Sequence, residues 1–126
     1  MNKLPSKLTY LGASAFYGCE FITCDTIPDG ITELNVRTFT FCEQLQFSDF
    51  NNVIKIGAQC FYSADAPNVT TLIFPKVQEV ASDSFGSNAF RNITNIITTQ
   101  SNEKMIYDIF GATNANGNPI SYSFLD

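Results

Sequence analysis

Tyr10-Leu11-Gly12-Ala13-Ser14-Ala15-Phe16-Tyr17-Gly18-Cys19-Glu20-Phe21-Ile22-Thr23-Cys24-Asp25-Thr26-Ile27-Pro28-Asp29-Gly30 is the stretch whose meaning decides the architecture. It has no helical period and no sustained apolar/polar alternation. Taken alone it reads as an irregular loop with too many residues of the kind that proteins bury. Alignment with the rest of the chain gives it a role. Leu11 falls in register with Leu34, Ile56 and Val80, and five residues after each stand Phe16, Phe39, Phe61 and Phe85. Three residues before each stand Leu8, Ile31, Val53 and Val77. Two more columns follow: Ile22, Leu45, Val69, Ile93, and then Leu4, Ile27, Phe50, Phe74, Thr98. Pro5, Pro28 and Pro75 close three members of the last column.

A period of about 22–24 residues held over several copies is the signature of a repeat array. One such unit cannot bury its apolar columns alone, but stacked copies bury them against each other. The expected fold is therefore mainly β with short helical turns: a short right-handed solenoid of about four rungs over residues 1–99. The core should be ladders of like residues, one of them of Phe. Two short strands are expected per rung. The main one is best formed at 70–74, with counterparts at 23–27, 46–50 and 94–98. The shorter one is expected near 9–11, 32–34, 55–57 and 79–81. The segment leading into each Phe, such as 13–17, reads as a turn of α or 3₁₀ helix. Extra residues at 63–67 and 86–89, at the same place in successive rungs, read as loops on one face.

The first rung, with Leu8, Leu11, Gly12, Ala15, Phe16, Cys19, Ile22, Ile27 and Pro28, resembles the BspA-type leucine-rich repeats of bacterial and protist surface proteins. Cys42 repeats the Cys19 position, while Asp25 and Ser48 stand where that family has an aliphatic residue. The resemblance implies surface exposure, and attachment to host or neighbouring cells or to matrix proteins.

Residues 100–126 leave the period and read as a C-terminal cap. Residues 101–111 suggest an amphipathic helix with Ser101 as N-cap and Gly111 as stop, covering the last rung with Met105, Ile106, Ile109 and Phe110. Residues 120–125 alternate like a strand. At the other end, Leu4, Leu8, Tyr10 and Leu11 form a candidate assembly edge, expected to be covered by further repeats of a longer protein or by another subunit.

Composition narrows the function. Net charge is -5, and only seven residues are Lys or Arg, which argues against a nucleic-acid partner. The absence of His removes the commonest general base and metal ligand. Ser and Thr thus lack an activator, the carboxylates are scattered, and no enzyme or cofactor is expected. Cys19, Cys24, Cys42 and Cys60 make no zinc pattern. An inward column favours reduced core thiols for Cys19 and Cys42, with a disulfide between them as the alternative. Glu33, Lys55 and Glu79 read as a solvated ladder of alternating charge. Asn68-Val69-Thr70 and Asn92-Ile93-Thr94 match glycosylation acceptors but contain core-column residues and are read as chance. The N-terminus lacks the apolar run of a signal peptide, and no stretch has a membrane-spanning length.

The outward positions of the main strand are Cys24, Phe47, Thr71, Asn95 and Thr26, Asp49, Ile73, Ile97. Of these, Phe47, Asp49, Thr71, Ile73, Asn95 and Ile97 form a candidate partner-binding face, because a solvated sheet face should be more polar; lateral packing between rungs, or cover by the tail, is the alternative reading of the apolar members. The favoured function is a non-catalytic adhesion module binding a protein or surface glycan. The alternative is a structural subunit of a larger assembly, such as a phage or tail-like particle, docked through its first rung.

Overall fold

The computed structural model describes residues 2–86 and 88–126. Its strands are β1 (Glu33–Leu34), β2 (Lys55–Ile56), β3 (Thr71–Ile73), β4 (Glu79–Val80), β5 (Asn95–Thr98) and β6 (Ser121–Phe124), with helix α1 (Glu103–Phe110) between the last two. They form two three-stranded sheets, β1-β2-β4 and β3-β5-β6, parallel throughout. Glu33 pairs with Lys55 and Lys55 with Glu79; Thr71 pairs with Asn95 and Asn95 with Ser121. The repeat period read from the sequence is thus the pairing register itself.

The columns lie inside. Ile31, Leu34, Leu45, Phe50, Val53, Ile56, Leu72, Phe74, Val77 and Ile93 are all buried. Phe16, Phe39, Phe61 and Phe85 stack nearly parallel, with ring centroids 5.8, 5.5 and 4.9 Å apart. A second stack, Phe50 on Phe74 at 4.4 Å, runs beside it.

The approach to Phe16, Phe39 and Phe61 is not a helical turn. Ser14 and Gly18, Arg37 and Phe41, and Gln59 and Ser63 have positive φ, two residues before and two after the column Phe. This changing hand aims alternate amides at the next rung. Ser14, Phe16 and Gly18 donate to the carbonyls of Val36, Thr38 and Thr40, and Arg37, Phe39 and Phe41 to those of Ala58, Cys60 and Tyr62. A left-handed non-glycine residue costs roughly 1–2 kcal/mol. The ladder offsets this by satisfying backbone groups that the core would otherwise strand. Asparagines extend the same device from rung to rung: the amides of Asn51, Asn92, Asn102 and Asn114 donate to the carbonyls of Ile27, Pro67, Val77 and Ile93.

Rung spacing leaves little room for side chains at contact points. A Cβ on Gly57 would lie 2.9 Å from the Val36 nitrogen and 3.0 Å from the Asn35 carbonyl carbon. Both are backbone atoms. Gly57→Ala is expected to cost about 1–3 kcal/mol, read as a lower denaturation midpoint at unchanged slope.

Three expectations need correction. The main strands of the first two rungs do not form regular strands, and Asp49 makes only an isolated bridge to Ile73. Cys24 and Phe47, expected outside, are buried. Had the alternation of the later rungs been kept, Asp25 and Ser48 would point inward where Leu72 and Ile96 do. Burying an unpaired carboxylate or hydroxyl costs several kcal/mol on apolar-transfer scales. The chain gives up strand pairing there and turns Phe47 in, against Phe39, Phe50, Phe61 and Phe90.

The tail differs as well. Its last strand stays in the ladder, β6 pairing in parallel with β5. A 3₁₀ turn at Gln100–Asn102 leads into α1, with Asn102 rather than Ser101 at the N-cap. Gly111 ends the helix at φ 74°, as expected. Ile106 is buried, Met105 and Phe110 pack against the core, and the Tyr122 hydroxyl donates to the Gly111 carbonyl at 2.6 Å. The inserted segment at 63–67 is tucked in, with Ala64 and Ala66 buried and the Phe90 amide bonded to the Ala64 carbonyl. The other insertion includes Ser87, which lies outside the described residues.

Candidate functional site

The β3-β5-β6 sheet presents the face on which the partner-binding residues were expected. Asn95 and Asp49 are exposed, Thr71, Ile73 and Ile97 half-buried, and Phe47 only 1% exposed. Phe47 therefore supports the face from beneath. Toward the first rung this face runs into an open groove of about 620 Å³ lined by Lys3, Asp25, Thr26, Asp29, Ser48 and Asp49. Its floor follows from the broken alternation: where the strands are irregular, Asp25 and Ser48 are only partly covered. The Asp49 carboxylate accepts the Asn51 amide at 2.7 Å, and the Asn51 side chain in turn donates to Asp29 at 2.7 Å. Three carboxylates against one lysine make the groove acidic.

The candidate assembly edge is arranged differently from the expectation. Leu4 and Leu11 are buried and Leu8 half-buried, leaving Tyr10 as the exposed member. The Asn2 carbonyl accepts the Asp25 amide at 2.8 Å, so the N-terminal residues already line the first rung on its strand side. The open apolar surface lies on the turn side instead, around Phe16, Gly18, Cys19, Glu20, Phe21 and Ile22. Phe21 is 84% exposed there.

A further surface was not foreseen. Tyr17, Phe41 and Tyr62 form an exposed aromatic stripe, packed edge to face with centroids 5.6 and 6.1 Å apart and planes near perpendicular. Its sequence signal is weak but present: Tyr17 and Tyr62 directly follow the Phe column, and Phe41 stands two after it.

The groups that carry chemistry are few. Burial pushes the thiols of Cys24, Cys42 and Cys60 up to about 12, so all three are held protonated. Cys19 alone of the four is exposed, against the expectation of an inward column. Among the described residues no group of three or more His, Cys, Asp or Glu side chains is placed to hold a metal ion. Lys55 approaches Glu79 at 3.9 Å with both side chains largely exposed, a solvated contact of about 0.2–1 kcal/mol at most.

A family model described as BspA type Leucine rich repeat region (6 copies) matches residues 2–97. The chain belongs to the BspA-type leucine-rich repeat family. The match ends at Ile97, within β5, and the paired strands space its repeats 22–24 residues apart. Neither the curated proteins nor the solved structures offered a match to this chain. BspA-type and other leucine-rich repeats generally serve as protein-interaction modules and are generally non-catalytic. No helix among the described residues is long and apolar enough to cross a membrane.

Proposed function

We propose that this BspA-type chain is a protein-binding adhesion module whose contact face is the outer surface of β3, β5 and β6 with the adjoining acidic groove. The rungs wind as a right-handed solenoid up to residue 99, the hand that parallel crossovers take, and residues 100–126 cover the last rung. One observation carries the functional reading: a half-apolar strand face, with Ile73 and Ile97 beside exposed Asn95 and Asp49, opens into a groove large enough for an extended segment. Repeat arrays commonly bind through such a continuous surface. The family points to a host-cell, neighbouring-cell or matrix protein, with a surface glycan as the other ligand class, and to work at the cell surface.

The test is adhesion to a panel of immobilised matrix proteins and glycans, comparing the wild type with Asp49→Arg/Asn95→Arg. Both positions are exposed, so the double variant should melt within a few degrees of wild type. Binding should fall at least tenfold. Unchanged binding by a folded double variant would remove this face from consideration.

The open apolar surface around Phe16 and Phe21 supports a second reading, a structural subunit docked end-on in a larger assembly such as a phage or tail-like particle. Its signature is self-association or co-assembly that Phe21→Ser abolishes, measured by sedimentation. A monomer at high concentration that still adheres through the strand face would reject it.

A further inference from the structure

We propose that Cys19 and Cys42 form a redox-sensitive clip between the first two rungs, closed by exchange with a low-molecular-weight disulfide. The two residues hold the same place in successive rungs, each three residues after a member of the Phe stack. The Cys19 amide donates to the Phe16 carbonyl at 3.0 Å and the Cys42 amide to the Phe39 carbonyl at 3.0 Å. Beside them, the Gly18 amide donates to the Thr40 carbonyl at 2.8 Å and ties the rungs together. The Cys42 thiol donates to the Phe16 carbonyl oxygen at 3.0 Å, the same oxygen that receives the Cys19 amide. The Cys42 sulfur therefore sits one carbonyl oxygen away from the Cys19 backbone. Residues facing each other on neighbouring rungs are about 5 Å apart, within the Cα separation of about 4.4–6.8 Å that a disulfide requires.

Access sets the order of events. Cys19 is exposed, whereas Cys24, Cys42 and Cys60 are buried. The Cys24 thiol is turned toward the Thr26 carbonyl, on the strand side. The Cys19 thiolate attacks one sulfur of the small disulfide and expels the first small thiolate. Cys42 then gives up its proton to solvent base, and its thiolate attacks the Cys19 sulfur. The second small thiolate leaves, to be protonated by solvent. Two protein thiols and one small disulfide become one protein disulfide and two small thiols. Burial of Cys42 makes the second exchange the slow step. Closure replaces the bond from the Cys42 thiol to Phe16 by a covalent tie across the rung that carries exposed Phe21. A tie of this loop length restricts the unfolded chain and is expected to raise the melting midpoint by about 10 °C.

The experiment incubates the full chain with oxidised glutathione, blocks free thiols, and combines intact mass with peptide mapping and a melt. The expected result is loss of two hydrogens, a cross-linked peptide joining Cys19 and Cys42, and a higher midpoint reversed by dithiothreitol. Cys19→Ser and Cys42→Ser should each abolish the cross-link, while Cys24→Ala retains it. A glutathione adduct that persists on Cys19 overturns the proposal. So do a cross-link mapped to another pair, the absence of any cross-link, or a cross-linked chain that melts no higher than the reduced one.

Discussion

Phe39→Ala should lower the free energy of unfolding by about 3–5 kcal/mol. Phe39 is fully buried and stands between two ring partners, Phe16 at 5.8 Å and Phe61 at 5.5 Å, with Phe47 packed on its side. Removing it deletes the side chain's own burial and breaks the stack between the first and third rungs. Each ring pair contributes about 0.5–1.5 kcal/mol beyond burial, and the rungs above and below are held apart by their own backbone ladder, so the cavity collapses poorly. Denaturant titration reads the loss directly. A change under about 1 kcal/mol would mean that the Phe stack does not support the fold.

Phe47→Ser should be as damaging, at about 3–5 kcal/mol or more. This inverts the expectation drawn from an outward Phe47, under which the exchange would alter binding and leave the melt unchanged. Phe47 touches four other rings and joins the two Phe stacks at the point where strand pairing lapses. Its loss removes the ring that anchors the irregular main-strand segment of the second rung, where only an isolated bridge replaces a regular ladder, and places a hydroxyl in the gap. A Phe47→Ser variant with an unchanged midpoint would return the residue to the surface. Comparing it with Asp49→Arg/Asn95→Arg separates loss of fold from loss of contact.

Much of the architecture was legible from Leu11, Phe16, Ile22, Ile27 and their copies, because a stack of equivalent rungs imposes the same environment at the same offset each time. Column identity, register and buried face all follow from that repetition. The short β strands at 33–34, 55–56 and 79–80 fall where the shorter-strand column placed them, whereas the one expected near 9–11 does not form. The helix was legible from its amphipathic spacing and from Gly111. What was not legible depended on competition between positions. Asp25 and Ser48 break the apolar column in the first two rungs. Whether Cys24 and Phe47 then turn inward depends on the space beneath them, which residues distant in sequence provide. The turn conformation was hidden for a related reason. Nothing in Arg37 or Gln59 announces a positive φ; the neighbouring rung's carbonyls select it.

The candidate surfaces divide in the same way. The strand face was assigned from alternation, and alternation is reliable only where strands pair, so Asn95 and Asp49 are exposed as expected and Phe47 is not. The exposed edge was assigned from column residues, yet Leu4 and Leu11 are covered and Phe21, outside every column, stands most open. Sequence alone determined that this chain is a repeat stack with an aromatic ladder, because period and residue type are written in the chain. Only the tertiary structure decided which residues face the solvent in the first two rungs. There, burial is set by contacts between residues far apart in the sequence.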